Sequence, residues 1–282
     1  MIRHKPCPAC ATETRHVLLW RKNGCDVVKC AACGLGSAAA EKFDPAAYYT
    51  AAYFDGTAAD GYADYAGSES VIRAEFGGIV EALRRIVPHG KLLEIGAAYG
   101  FFLMEAQAYF DVRGVEMADE AAAFARSRGL NVISGPATRE VFAQGGPVDA
   151  VVMLDAIEHL EDPAAVVQLC AEHLKPGGVV LITTGDFGAP LARLSGSRWR
   201  LMTPPQHLWY FTPNSLGKMA ARFGLRVETA THPWKRVPLA LVLYQLGRML
   251  GVKLSAEHLA PFGRFGLPLN LYDAMRVTLR KS

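Results

Sequence analysis

The chain has 282 residues, 51% hydrophobic and 20% charged, with a formal net charge of +3. That balance excludes a disordered or low-complexity chain and suits one large core with appendages. The stretch M-I-R-H-K-P-C has no apolar region of signal-peptide type and no run of about 18 apolar residues occurs, so a cytoplasmic chain without a spanning helix is expected.

Four of the six cysteines fall as C-P-A-C (Cys7, Cys10) and C-A-A-C (Cys30, Cys33), nineteen residues apart. Without export signals disulfides are disfavoured, and two such knuckles offer zinc a tetrahedral set of thiolates. V-L-L-W and D-V-V-K-C, on either side of Asn23-Gly24, read as a hairpin, because Asn-Gly tolerates the positive φ of a two-residue turn. Residues 1–40 are therefore expected to form a zinc ribbon. Six Lys plus Arg against two Asp plus Glu give residues 1–36 a charge of +4; four thiolates and a zinc ion reduce it to +2, a poor grip on nucleic acid. Cys25 and Cys170 fit neither pair and read as core or loop thiols.

Residues 41–90 read as a linker with helices covering a cofactor site. Tyr48, Tyr49, Tyr53, Tyr62 and Tyr65 crowd it, placed over that site or against the first helix. Over residues 91–282, short apolar runs alternate with helical patterns. K-L-L-E-I-G-A, D-V-R-G-V-E-M, L-N-V-I-S-G, V-D-A-V-V-M-L-D and G-V-V-L-I-T-T are near-continuous apolar strands, as required where helices cover both faces of a parallel sheet. Tyr99 to Phe110, Asp119 to Arg128 and Pro163 to Leu174 have helical spacing, the third with Asp162 as N-cap and K-P-G-G as its stop. L-R-V-E-T-A and D-A-M-R-V-T-L-R-K supply a sixth and a last strand. The pattern predicts a doubly wound α/β domain, which binds ligands at the carboxyl ends of its strands, near the switch point where Glu94-Ile95-Gly96 falls.

A dinucleotide fold uses G-x-G-x-x-G to seat a pyrophosphate; here the row is Gly96, Ala98, Gly100, with Glu94 just ahead of it. A carboxylate there repels phosphate and suits a ligand with a positive charge or an amine. Gly96 would let the backbone approach that ligand, and Gly100 would let the helix begin close to the strand. Glu116, in G-V-E-M, ends the next strand, where an acidic side chain takes both hydroxyls of a ribose.

Taken in order, E-I-G-A-A-Y-G, G-V-E-M, V-D-A-V-V-M-L-D-A-I-E-H-L-E-D-P and L-K-P-G-G-V-V-L-I-T-T resemble the class I S-adenosylmethionine-dependent methyltransferases, over about residues 40–232. The resemblance implies a Rossmann-like, seven-stranded sheet and S-adenosyl-L-methionine as cofactor. It places Gly96 with its neighbours Ala98, Tyr99 and Gly100 along the methionine part, Glu116 and then Met117 at the ribose, and Asp155-Ala156 near the sulfonium. Members usually have glycine at the position of Ala98, whose methyl narrows the room for the methionine part.

After the fifth strand, S-G-S-R-W-R-L-M-T-P-P-Q-H-L-W-Y-F-T-P-N-S-L is too rich in proline, tryptophan and histidine for a connector and should face the acceptor. Its pattern W-x-x-x-x-P-P-x-H-L-x-Y-F-T resembles a branch of these enzymes found with polysaccharide and glycolipid biosynthesis. Trp199, Arg200, Trp209 and Tyr210 are expected on the acceptor side. His207 is the candidate base, because a neutral imidazole removes or orients a hydroxyl proton near neutral pH; its bland role is a cap on the helix starting at Thr212-Pro213. His159, in I-E-H-L-E-D-P, is a weaker candidate, expected to orient the loop after strand four.

Residues 190–282 carry 14 Lys plus Arg against 3 Asp plus Glu, which suits an anionic partner: a nucleotide-linked sugar, a lipid-linked glycan, an anionic membrane face or RNA. An insertion at about 233–270 separates the sixth strand from the last. Within it V-P-L-A-L-V-L-Y-Q-L-G-R-M-L is too short to span a bilayer. With Lys235, Arg236 and Lys253 it reads as a lid helix or as a helix against anionic lipid at the inner membrane face. The expected function is methyl transfer from S-adenosylmethionine to a hydroxyl of a saccharide, nucleotide-sugar or glycolipid. Two alternatives are a zinc-ribbon RNA base methyltransferase, marked by steep salt dependence, and a non-catalytic module that binds zinc and S-adenosylmethionine without turnover.

Overall fold

The computed structural model describes residues 2–39, 64–249, 252 and 254–282. Lys253 and the linker tyrosines Tyr48, Tyr49, Tyr53 and Tyr62 lie outside the described residues. The chain divides into two compact units, one of Met1–Phe43, Ala137–Pro233 and Leu271–Ser282, the other of Asp44–Pro136 and Trp234–Asn270.

In the first unit, β1 (Ile2–Pro6), β2 (Glu13–Lys22), β3 (Cys25–Cys30) and β4 (Gly36–Ala39) run antiparallel. Asn23 and Gly24 turn the predicted hairpin with φ of 48° and 76°, the left-handed pair a tight hairpin requires. A fifth strand completes this sheet from far along the chain: β10 (Trp209–Tyr210) pairs Trp209 with Ser37 and Tyr210 with Gly36.

A second, mixed sheet has seven strands. The other unit supplies β5 (Gly90–Ile95), β6 (Phe110–Glu116) and β7 (Val132–Ser134), all parallel. The first unit supplies β8 (Val148–Leu154) and β9 (Leu174–Gly185), parallel, then β14 (Ala274–Lys281) and β11 (Leu225–Thr231), antiparallel. The order is β11-β14-β9-β8-β5-β6-β7. Ala150 to Met153 and Val179 to Ile182 are buried residue after residue, which is why these strands read as unbroken apolar runs rather than alternating ones.

The helix expected over Tyr99–Phe110 is shorter, with α1 (Glu69–Arg84) before it and α2 running Phe101–Ala106. Gly100 sits in the left-handed region at φ 76°, so regular helix begins after it, and Phe110 is taken by β6, paired with Gly90. A Cβ on Gly100 would lie 2.3 Å from Leu130 and 3.1 Å from Ala125, so a close approach as well as φ requires glycine there. Asp119–Ser127 forms α3, Arg139–Ala143 forms α4, and Pro163–His173 forms α5, the last with Asp162 Oδ1 accepting from the Ala165 N–H as its cap. The helix α5 ends a residue early because Leu174 pairs with Val148 in the sheet.

Helix α6 (Pro190–Ser195) follows β9, and α7 (Pro213–Ala221) opens on a reciprocal box: Thr212 Oγ1 accepts from the Ser215 N–H, and Ser215 Oγ from the Thr212 N–H. His207 is therefore not that helix's cap. The insertion of the second unit holds β12 (Lys235–Pro238), α8 (Leu239–Met249), α9 (Ala256–Leu259) and β13 (Gly266–Leu269). No helix among the described residues is long and apolar enough to cross a membrane.

Asp273, fully buried, ties the segment after β9 to the start of β14. It accepts from Trp199 Nε1 at 2.8 Å and from Arg200 Nε and Nη2 at 3.0 and 2.9 Å. Burial alone would raise its pKa, but the guanidinium and the indole N–H outweigh it and hold the carboxyl below its usual range. Arg200→Ala is expected to lower unfolding stability by about 2 kcal/mol, below the full cost of an unpaired buried charge because Arg200 itself reaches solvent. The loss should shrink as pH falls through the folded pKa of Asp273, since protonation removes the charge that lacks a partner. Urea melts at pH 7 and pH 3 check both parts.

Candidate functional site

In the second unit, the chain leaves β5 through Gly96 (φ 77°), Ala98 (φ 45°) and Gly100, so Ala98 adopts a backbone that favours glycine. The N–H groups of Gly96 and Ala97 both donate to Val115 O, at 2.9 and 3.1 Å. Glu116, at the end of β6, locks the turn: one carboxylate oxygen accepts from the Ala98 N–H at 2.7 Å and the other from the Ala118 N–H at 2.8 Å. Burial raises the Glu116 pKa while these amides oppose it. Each carboxylate oxygen has two lone pairs, so a ribose can still be held by those the amides leave. Met117 follows directly and is half-buried. Tyr99 stacks on Phe124 at 4.5 Å, and Tyr65 stacks on Phe101 at 5.2 Å, which gives that one linker tyrosine a packing role.

Glu94 departs from its expected charge. It is buried, and desolvation together with the nearby Glu116 pushes its pKa well above the carboxylate range, so it stands as a neutral acid rather than a carboxylate. Its Oε2 is buried without a hydrogen-bond partner. An orphaned acceptor of that kind beside a strained turn fits a ligand that brings its own donor, which an amino acid moiety does.

The remaining predicted residues belong to the first unit. Asp155 ends β8 with φ 50°; its N–H donates to Thr183 O at 3.0 Å, and its Oδ1 accepts from the Thr183 hydroxyl at 3.0 Å. Ala156 then opens a short 3-10 turn over Ile157–His159. Three hydrogen bonds fasten this loop to the segment before α7: Leu208 N–H to Glu158 O at 2.9 Å, His159 Nδ1–H to Gln206 O at 2.9 Å, and Trp209 Nε1–H to Leu160 O at 2.8 Å. His207 Nδ1 meets Leu201 O at 2.8 Å, and its ring stands edge-on to His159 at 4.7 Å. A carbonyl only accepts, so both imidazoles donate from Nδ1; His207 then presents Nε2 as an acceptor, while His159 meets a second backbone partner at Asp155. Desolvation lowers the His159 pKa to about 4 and, with the neighbouring His159, lowers that of His207 to about 3. Glu158, His159 and His207 bring their ligating atoms within 4.8 Å of one another.

The four residues expected on the acceptor side separate. Trp209 is half-buried, with its indole N–H taken by Leu160 O, and the Arg200 fork is committed to Asp273. Trp199 and Tyr210 are corrected: both are buried, in one core cluster with Cys25, Val27, Ala38, Phe187 and Met202, so they support the segment from beneath. Aromatic richness in the sequence marked the segment but not the direction of its rings. Asp273 and the strand pairing of Trp209-Tyr210 were missed, since neither a lone acid 74 positions away nor a two-residue strand leaves a periodic signal.

The four cysteines converge as expected. Their Sγ atoms lie within 4.8 Å of one another, with Cys7 to Cys33 at 3.6 Å and Cys10 to Cys30 at 4.0 Å. Thiolates about 2.3 Å from a tetrahedral zinc stand about 3.8 Å apart, so the donor set fits that ion. Bonding to Cys33 lowers the Cys7 pKa to about 4 while that of Cys33 is pushed up. Helix α7 holds this cluster's loops: Asn214 Nδ2 donates to Cys33 O at 3.0 Å, Lys218 Nζ to Ala32 O at 3.2 Å, and Arg222 to Pro8 O.

A seven-stranded sheet of this order, with a glycine turn after β5 and an acid at the end of β6, defines a class I S-adenosylmethionine-dependent methyltransferase fold. The chain belongs to the methyltransferase domain family, whose model matches residues 71–230. It is 31% identical over 188 residues to the ubiquinone biosynthesis O-methyltransferase of Caulobacter vibrioides, covering 64% of this chain and 63% of that one. It is 36% identical over 151 residues to the enzyme of the same name from Bordetella avium, covering 48% and 61%. The chain thus spans less than two thirds of the length of these curated relatives. Among solved structures, the YcgJ protein of Bacillus subtilis superposes with a TM-score of 0.51 at 17% identity, covering 74% of this chain and 98% of that one, a likeness of fold.

Glu94→Gln removes a group whose folded pKa is raised. A raised acid stabilises the fold while protonated and costs stability as pH climbs through its folded pKa. The variant is therefore expected to lose less melting temperature than the wild type between pH 5 and pH 8, roughly a few degrees less. Parallel melting curves that coincide across that range would show that Glu94 is not held neutral.

Proposed function

We propose that the protein transfers a methyl group from S-adenosylmethionine to a hydroxyl oxygen of an anionic small-molecule acceptor, with a saccharide, nucleotide-sugar or lipid-linked glycan as the first class to test. The observation that carries the oxygen assignment is His207, whose Nδ1–H is held by Leu201 O so that Nε2 stands as a neutral acceptor, because an alcohol must lose its proton as its oxygen is methylated. The relatives' name, ubiquinone biosynthesis O-methyltransferase, supports O-methylation and favours a ubiquinone precursor as a second acceptor class.

S-adenosylmethionine, when bound, supplies an already activated methyl group, so alignment of acceptor and donor provides much of the acceleration. In this reading Glu116 holds the ribose with the lone pairs its amide bonds leave, Gly96 admits the ligand to the backbone, and Asp155-Ala156 lie near the reacting centre. His207 Nε2 accepts the hydrogen bond of the acceptor hydroxyl and orients its oxygen. A nitrogen whose conjugate acid has a pKa of about 3 does not deprotonate the free alcohol, but it is far more basic than the oxonium formed as the C–S bond breaks and the C–O bond forms. It therefore orients the hydroxyl first, takes its proton as the methyl arrives and releases it to solvent. His159 braces the same loop. Zinc on Cys7, Cys10, Cys30 and Cys33 would hold the ribbon as a structural ion, a closed site without an open position for chemistry.

His207→Ala is expected to lower turnover roughly 100-fold with S-adenosylmethionine affinity unchanged, and the wild-type rate should not rise with pH between about 5 and 8, because both imidazoles are already neutral there. Labelled methyl transfer to nucleotide sugars and to polyhydroxylated phenols, followed across that range, checks both points; a rate climbing through pH 6.5 would return His207 to the role of a titrating base. No labelled product with either panel and steep, salt-sensitive RNA binding would favour the RNA reading instead.

One zinc per chain is expected in protein purified without chelator, falling to none in a Cys30→Ser, Cys33→Ser double variant. Atomic absorption measures the metal. Unchanged zinc in the double variant would exclude this site.

A further inference from the structure

Of twelve exposed large hydrophobic side chains among the described residues, seven lie in the insertion Trp234–Asn270. We infer that this insertion docks the protein on an anionic lipid bilayer. The inference goes beyond the methyl-transfer reading and does not depend on which acceptor is used.

The two-stranded sheet of β12 and β13 has two unlike faces. Its register pairs Lys235 with Leu269 and Val237 with Leu267, so these four side chains share one face, while Arg236, Pro268, Pro238 and Gly266 share the other. The second face meets α1 at one end, where Pro238 is buried and a Cβ on Gly266 would lie 2.9 Å from Val71; the Arg236 N–H donates to a Glu75 carboxylate oxygen of that helix, while the Arg236 and Pro268 side chains are exposed. The first face exposes Leu267 and Leu269, with Lys235 and Val237 half-buried beside them. Aromatic rings stand at its two ends. Trp234, 65% exposed, precedes Lys235 at one end, and Phe265, 51% exposed, sits at the other, where its carbonyl accepts from the Leu239 N–H.

An apolar surface of this kind on a single chain marks an interaction site, and charge decides the occupant. Residues 234–270 hold five Lys plus Arg and one acidic residue, Glu257, a net of +4. Lys235 emerges on the apolar face itself, and the Arg264 guanidinium stands 5.4 Å from the Phe265 ring centre. A lysine on the same face as exposed leucines disfavours a dry interface with a second copy, whose core excludes charge. It suits the boundary between lipid headgroups and acyl chains, where tryptophan and phenylalanine enter the apolar layer and cations meet phosphate.

Co-sedimentation of the full chain with vesicles of phosphatidylcholine alone, and with about 30% phosphatidylglycerol added, tests this. Binding is expected to be at least about tenfold tighter to the anionic vesicles and to weaken as salt rises. A Leu267→Ser, Leu269→Ser variant should lose about tenfold with the melting temperature and S-adenosylmethionine affinity kept. Lys235→Glu with Arg264→Glu, which leaves the sheet's packed face untouched, should lose the preference for anionic lipid. Equal binding to both vesicle types, no binding to either, or a wild-type dimer that Leu267→Ser, Leu269→Ser dissociates in sedimentation equilibrium would each overturn the proposal.

Discussion

The pairing of Trp209-Tyr210 with the edge of the cysteine-bearing sheet is the constraint on which the first unit depends. A backbone ladder fixes register, and register alternates side chains, so Tyr210 falls into the cluster with Phe187 and Trp199 while the Trp209 indole meets Leu160 O. Once that is set, the Leu208 N–H donates to Glu158 O, and the loop after β8 is drawn against the segment. His159 and His207 then meet edge to edge, each with a carbonyl at Nδ1. The ribbon is therefore part of the support of the histidine pair, and not a module carried beside it. The same linkage explains why Asn214, Lys218 and Arg222, on the helix that follows, spend their donors on carbonyls of the two knuckles.

Electrostatically, burial favours the neutral form of Glu94 in one unit and of the histidine pair in the other. Glu94 is protonated because burial and a neighbouring acid leave it no better choice, whereas Glu116 is met by two amide N–H groups that offset its burial. The two histidines are unprotonated because their loop excludes water. Neutral histidines suit a reaction in which a cationic donor becomes neutral: they orient the reacting groups without adding positive charge beside the starting cation.

Much of this was legible in the sequence wherever a physical rule has a short reach. Two C-x-x-C pairs, an Asn-Gly turn and unbroken apolar strands each speak of their own few residues, and each appears where expected. The failures share a cause as well. Apolar spacing extended a helix across Tyr99–Phe110, but Gly100 and the ladder partner of Phe110 stopped it at both ends. Trp199 and Tyr210 looked like contact residues because nothing local says that strands near Val27 and Ala38 will cover them. The histidines' low basicity comes from burial that outweighs the opposing carbonyls of Leu201 and Gln206, in a loop whose course no periodicity encodes.

The strand that completes the ribbon comes late in synthesis. Cys33 and Asn214 are 181 positions apart, so at about 5–20 residues per second the ribbon waits roughly 10 to 35 seconds on the ribosome before its partner helix and strand emerge. During that interval the edge of β4 lies unpaired, and an unpaired edge is a template for any extended segment nearby. Ser37 and the small residues Gly36, Ala38 and Ala39 give that edge little apolar side chain with which to recruit a wrong strand. Sparing the edge large side chains leaves it able to wait.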